Sequence, residues 1–252
     1  MSSLELMGIS KRFGGVKAVD DVSMLIPAGR ITGLIGPNGA GKTTLVNIIS
    51  GFINPTEGKV RFSEHDLTGA PAHVVAQMGI IRTFQNIRLL SETSVIENIA
   101  VGFHRHARSS LMEDLLGTPK SKLEHSKVRE SALNLLERFE MLKFAESAAG
   151  DLAYGHQRQV EVMRALGAGP SVLMLDEPVA GMNDVEAGKL AQIFKGLAKD
   201  GMGILLIEHN VRFVSQLCSY VYVINNGSII SEGAPERVTR DPAVIEAYLG
   251  IK

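Results

Sequence analysis

Gly36-Pro37-Asn38-Gly39-Ala40-Gly41-Lys42-Thr43 matches the phosphate-loop pattern GxxxxGK[ST]. Glycines at 36, 39 and 41 allow a tight turn and point several backbone N–H groups inward, where side chains would crowd a phosphate. Lys42 supplies a cation for β- and γ-phosphates, and the Thr43 hydroxyl is a ligand for Mg²⁺. The flanks agree. Residues 31–35, Ile-Thr-Gly-Leu-Ile, read as a short buried strand, and residues 42–49 read as a helix ended by Gly51. Strand, loop and helix in that order aim a helix N-terminus at the phosphate. A glycine-rich surface turn would not need such flanks, so the stretch implies binding of a nucleoside triphosphate.

Outward from the loop, strands are expected at residues 4–11, 22–26, 58–62 and 80–84, where apolar residues alternate or run together. From about residue 91 to 168 the texture turns helical. Val128, Ala132, Leu135, Leu136, Phe139 and Leu142 recur at three- and four-residue spacing, and the charged residues 120–130 read as a solvated helix start. Apolar runs return at 171–175 and 203–207, with a helix between them at 184–199. This alternation predicts a parallel sheet covered by helices. Residues 220–224 and 228–230 around Asn225-Asn226-Gly227 read as a hairpin, and two short helices are expected after Pro235. The expected fold class is α/β, a phosphate-loop core split by an inserted helical lobe.

The composition bounds the function. The 252 residues carry 45% hydrophobic and 21% charged residues and a net charge of −1. That is globular, and it lacks the basic footprint of a nucleic-acid binder. Cys218 is the one cysteine, so no internal disulfide can form. Its apolar surroundings suit a small core residue in a reducing cytoplasm. Met1 to Leu6 lacks the layout of a signal peptide, and no apolar run reaches the roughly 18 residues of a membrane span.

A second set of residues completes the chemistry. The run Val172-Leu-Met-Leu-Asp176-Glu177 is an apolar strand ending in two carboxylates. An acid at that place holds Mg²⁺, which suits Asp176. Glu177, one residue beyond, is placed to polarise an attacking water. His209 closes another buried strand and could sense the γ-phosphate, because ligands gather at the carboxyl ends of parallel strands. Gln85 follows the strand at 80–84, and its amide can ligate Mg²⁺ or touch a neighbouring protein.

Together these pieces resemble the ATP-binding cassette (ABC) family over residues 4 to 250. The resemblance implies a single ABC ATP-binding domain with an N-terminal antiparallel β subdomain, a core lobe of residues 1–90 and 169–252, and a helical signature lobe of residues 91–168. It implies that Thr44 joins the phosphate loop, that Gln85 is the glutamine-loop residue and that His209 is the switch histidine. Leu152-Ala153-Tyr154-Gly155-His156-Gln157 is similar to the family's signature stretch, and Ala180-Gly-Met-Asn183 to its dimer-contact loop. Phe13, which on its own reads as core, falls where an aromatic ring stacks on adenine. Residues 79–89, 95–98, 152–155, 180–183 and 241–250 are similar to the larger ATPase subunit of branched-chain amino-acid importers.

That likeness implies an ATP- and Mg²⁺-dependent ATPase at the cytoplasmic face of a bacterial or archaeal inner membrane. Its implied partners are two permease subunits, a second ATPase as homo- or heterodimer and an external solute-binding protein, with no nucleic acid. Two positions depart from the family pattern. Ala153 stands for the signature serine, which shifts phosphate contact to the backbone N–H groups of residues 154–156 and the helix dipole. His156 stands for glutamine and either ties activity to pH or is merely tolerated. Another cargo (urea, lipid or lipopolysaccharide) or a soluble ABC ATPase are the rival readings. The latter lacks here its usual coiled coil or basic linker. Residues 86–89, Asn86-Ile-Arg-Leu, mix apolar and cationic character as docking surfaces do, the alternative being that Ile87 and Leu89 are core.

Overall fold

The computed structural model describes residues 3–83, 87–104 and 118–249. These form two compact units, Met1–Arg82 with Ser171–Glu177 and Phe194–Lys252, and Thr83–Pro170 with Pro178–Ile193.

In the first unit, β1 (Ser3–Phe13), β2 (Val16–Pro27), β4 (Glu57–Phe62) and β5 (His65–Asp66) form an antiparallel sheet of order β2-β1-β4-β5. The alternation at Leu4 and Leu6, and at Val22, Met24 and Ile26, points one face of this sheet into the core. A second sheet has the order β10-β9-β3-β8-β7-β6. It is built from β3 (Ile31–Ile35), β6 (Ile80–Arg82), β7 (Val172–Asp176), β8 (Gly203–Ile207), β9 (Tyr220–Asn225) and β10 (Ser228–Gly233). The pairs β3/β8, β3/β9, β6/β7 and β7/β8 are parallel. Every residue of β3, β7 and β8 is buried. Both faces of the sheet are covered, so apolar runs replace alternation. Helix α1 (Lys42–Ile49) contributes Leu45, Val46, Ile48 and Ile49 to the core that both sheets share.

The register places the site. Leu34 and Asp176 both pair with Ile207, so β3, β7 and β8 end at one level. The segments that leave them, starting at Gly36, Glu177 and Glu208, therefore emerge at one edge. The expected hairpin forms as β9 and β10, with Asn226 at φ 47 and Gly227 at φ 85, the two positive values that a type I′ turn requires. Helices α2 (Ala72–Gln77) and α7 (Val211–Leu217) were not expected, nor was β5. The terminal helices are α8 (Pro235–Val238) and α9 (Pro242–Leu249).

The second unit packs α3 (Val95–Phe103), α4 (Pro119–Arg138) and α5 (Tyr154–Gly167), with the first half of α6 (Asp184–Lys199). A capping box starts α3: Ser94 Oγ accepts from Glu97 N–H, and the Glu97 carboxylate accepts from Ser94 N–H. Gly102 lets α3 approach α5, since a Cβ there would collide with Arg164 O. The charged start of α4 is mostly exposed, and its apolar face is carried by Ala132 and Leu136. Leu142, expected on that face, is 44% exposed. The helix stops at Arg138 and Glu140 turns the chain at φ 57, so the helical period does not reach residue 142. The segment 178–193, read from the sequence as part of the core lobe, groups with the helical unit because Gly181 and Met182 pack on Tyr154 and Gly155. The first boundary falls at residue 82 rather than 90.

Candidate active site

The phosphate loop leaves β3 and enters α1 without a side-chain cap among the described residues; Gly41 is the N-cap at φ 109. The first N–H groups of α1 are thus left for a ligand, and no acidic residue opposes an anion in its first turn. The glycines serve for different reasons. A Cβ on Gly36 would strike Ile224 O, and one on Gly41 would lie 2.5 Å from Ala18 O, so both are needed because β9 and β2 press on the loop. Gly39 meets nothing within 4 Å but sits at φ 78, where only its conformational freedom counts. The crowding that excludes side chains at 36 and 41 therefore comes from the protein itself.

Within the loop, Pro37 is partly buried, Asn38 exposed and Ala40 buried, with Gly227 N–H donating to Ala40 O. Lys42 Nζ donates to Gly36 O at 2.6 Å and Pro37 O at 2.9 Å. Burial lowers the Lys42 ammonium from the ordinary lysine value, opposed by the charges of Glu177 and Asp176. Both carboxylates therefore lie near enough to the lysine to favour its charge. Thr43 is exposed and Thr44 half-buried in the first turn of α1.

Asp176 ends β7 buried, with Oδ2 accepting from Arg82 Nη2 at 2.9 Å. Arg82 Nη1 donates to Asn47 Oδ1 at 2.5 Å. Glu177 adopts φ 49, a left-handed backbone that costs energy in a non-glycine residue. Its N–H donates to Ile207 O at 2.9 Å, which ties the end of β7 to the end of β8. His209 follows two residues later, with Nδ1 3.5 Å from Glu177 Oε1. Glu208, buried between, accepts from the N–H groups of His209 and Asn210 and sets the turn that presents the histidine. Phe13 is 50% exposed at the end of β1, with the Lys11 ammonium 5.2 Å from its ring centre. It is not a core residue, and its ring is open to a planar ligand. Gln85 and Asn86 lie outside the described residues.

In the second unit Ala153 is the N-cap of α5 and offers no side-chain acceptor. Gly155 packs close to Met182, whose Cγ would lie 3.1 Å from a Cβ there, and Gly181 packs under the Tyr154 ring. Gln157 Nε2 donates to Leu152 O at 2.8 Å and Gly150 O at 3.3 Å, which holds the approach to the helix. The His156 ring lies 4.9 Å from that of Phe144. Both line a groove of about 900 Å³ with Gln159, Lys189 and Ile193. Asn183 caps α6, its Oδ1 accepting from the N–H groups of Val185 and Glu186. So the stretches 152–157 and 180–183, far apart in sequence, meet at one place.

An Ala153→Ser substitution supplies the missing acceptor. We expect it to stabilise the isolated protein by about 1 kcal/mol, the usual worth of an N-cap, read by denaturant unfolding. The same hydroxyl can still donate to an anion. A destabilised variant would show that residue 153 must be apolar. Cys218 is inert by contrast: burial pushes its thiol up to about 12.

Sequence reasoning missed Arg82 and Asn47. The one hint was Arg82 itself, since an arginine in an apolar strand calls for an acidic partner, but the sequence does not say which.

A parallel sheet with a phosphate loop after one strand and an acid pair after another defines a phosphate-loop ATPase. The ABC transporter family model matches residues 19–180, and the model described as branched-chain amino acid ATP-binding cassette transporter matches residues 228–251. The chain is 40% identical over 248 residues to the high-affinity branched-chain amino acid transport ATP-binding protein BraF of Pseudomonas aeruginosa, covering 98% of this chain and 97% of the relative. It is 42% identical over 248 residues to LivG of Salmonella typhimurium, with the same coverage. Among solved structures, the ADP conformation of an ATP-binding cassette of an ABC transporter is similar at TM-score 0.86 and 35% identity, covering 99% of both chains. A nucleotide-free cassette is similar at TM-score 0.85 and 35% identity, covering 98% of this chain and 99% of the other. The chain belongs to the ABC transporter family, as an ATP-binding cassette with ATPase activity. Among the described residues no helix is long and apolar enough to cross a membrane.

Proposed function

We propose that this chain hydrolyses ATP at the edge formed by β3, β7 and β8 to power an importer of leucine, isoleucine or valine. The observation that carries the reading is the pairing of a strained Glu177 with His209, 3.5 Å away, at the strand level where the phosphate loop begins. ATP phosphates would lie over residues 36–44 with Lys42 between them, and adenine on Phe13. The residues present fit a Mg²⁺ ion: the exposed Thr43 hydroxyl and the Asp176 carboxylate would hold it, with Gln85 as a further ligand. When bound, the ion would neutralise charge on the β- and γ-phosphates. Glu177 would take the proton of the attacking water, and His209 would hold Glu177 in place while facing the γ-phosphate.

The working form would pair two cassettes, each closing the other's ATP with the start of α5. Leu152 to Gln157 form that start, and its uncapped N–H groups suit a γ-phosphate. The partners would be two permease subunits at the cytoplasmic face of the membrane, with a solute-binding protein outside. For docking, residues 87–90 are favoured. Ile87 and Leu89 are partly exposed and Leu90 is exposed, so they are available for contact. The segment is held from within its own unit. Arg164 donates to Arg88 O at 2.6 Å, and buried Asn98 bonds both polar backbone groups of Leu90. A firm, half-apolar, cationic loop can transmit a push.

The test is uptake of radiolabelled amino acids in cells lacking the chain, with complementation by wild type or Arg88→Glu. We expect the deletion to abolish the ATP-driven component of branched-chain uptake. Arg88→Glu should keep ATPase activity in the isolated subunit but fail to restore uptake. Intact branched-chain uptake with loss of another solute would overturn the cargo, and full complementation by Arg88→Glu would overturn the docking loop.

A further inference from the structure

Arg82 is 8% exposed and Asp176 10% exposed, at the ends of neighbouring parallel strands. A buried ion pair is a poor stabiliser, because desolvation offsets much of its attraction and an apolar pair of equal volume would often serve stability as well. Its geometry suggests a different use. The planar guanidinium reaches two elements at once, Nη1 on Asn47 Oδ1 at 2.5 Å and Nη2 on Asp176 Oδ2 at 2.9 Å. Asn47 lies in α1 four residues after Thr43, so both project from one face of that helix. The fork therefore spans from the Thr43 face of α1 to the end of β7. It occupies one carboxylate oxygen of Asp176 and fixes the plane of the other. Those two elements supply the hydroxyl and the carboxylate that the reading above assigns to Mg²⁺.

We infer that Arg82 is a positioning residue for the Mg²⁺ site, setting the distance between Thr43 and Asp176 and the orientation of the Asp176 carboxylate. The inference rests on the reading of Asp176 as the Mg²⁺ acid. Arg82 itself touches neither ion nor nucleotide in this scheme. It acts as the hydrogen-bonded outer partner of a ligating carboxylate, a class of residue whose loss weakens metal affinity by about 10–100-fold. Lysine can replace it only in part, since a single ammonium does not reproduce the flat fork.

The experiment is a fluorescent-ATP titration of the full chain with and without Mg²⁺, together with thermal unfolding of the nucleotide-free protein. In Arg82→Gln, affinity for Mg²⁺-free ATP should stay at the wild-type value, while the Mg²⁺ concentration for half-maximal effect rises about 10–100-fold. Arg82→Lys should fall between. In an Asp176→Asn background, adding Arg82→Gln should change nothing further, since its effect runs through that carboxylate. If Arg82→Gln does not fold, Asn47→Ala releases one arm of the fork and should raise the Mg²⁺ requirement in the same direction. A lowered melting temperature with unchanged Mg²⁺ dependence in Arg82→Gln, or in Asn47→Ala where the first variant does not fold, would make Arg82 a structural residue and overturn the inference alone. An Asp176→Asn protein that keeps the wild-type Mg²⁺ requirement would overturn the reading of Asp176 and the inference with it.

Discussion

Glu177→Gln is expected to bind ATP as wild type does and to lose turnover by about 10²-fold or more, the low end for removal of a general base. The amide keeps the size of the side chain and can accommodate the φ of 49 as the glutamate does. It also leaves His209 Nδ1 facing a side chain of the same shape, at the position where Glu177 Oε1 lies 3.5 Å away. What it cannot do is accept the proton of the attacking water. Bound ATP should then persist, and with it the paired cassettes. Phosphate release in steady state, set beside nucleotide affinity, separates the two effects. Hydrolysis near the wild-type rate would remove Glu177 from the chemistry, and lost binding would place it in nucleotide recognition instead.

Lys42→Ala has the other large effect. A hydrogen bond to a charged group is worth about 1.5–3 kcal/mol, so ATP affinity should fall on the order of 10- to 100-fold. The loss has two parts. The phosphates lose a cation whose charge Glu177 and Asp176 favour against the opposing effect of burial. The loop also loses the ammonium that Gly36 O and Pro37 O accept from, so its shape before binding is less defined. Nucleotide titration by calorimetry checks it. Unchanged affinity would mean that the loop backbone alone carries the phosphates.

The parts of this site that were legible in the sequence are those where backbone chemistry restricts the residue type. Gly41 at φ 109 and Asn226-Gly227 in the hairpin admit few alternatives, so their positions could be read directly. The strands β3, β7 and β8 were legible because burial on both faces leaves continuous apolar runs. Helices α2 and α7 span six and seven residues, under two turns, too short for a period to register. Leu142 kept the helical spacing in sequence, but one residue of positive φ at Glu140 ended the helix before it.

Side-chain partnerships across the fold were not legible. That Arg82 bridges Asn47 and Asp176 depends on the pairing of β6 with β7 and the lie of α1, which no local pattern states. The grouping of residues 178–193 with the helical unit depends likewise on small residues, Gly155 and Gly181, whose spacing means nothing until their neighbours are known. Phe13 could be assigned only through family likeness, because an aromatic residue at a strand end is more often core. Its half-exposed ring is the feature that the strand pattern left undecided.

Hydrolysis at Glu177 is expected to drive import. The direct measurement is ATP-driven uptake of radiolabelled leucine into membrane vesicles that contain the complete importer, assembled with either wild-type chain or Glu177→Gln. Wild type should accumulate leucine only with ATP and Mg²⁺ present. Glu177→Gln should assemble, bind ATP and accumulate none above the ATP-free background. Leucine accumulation by the Glu177→Gln complex at the wild-type rate would contradict the account.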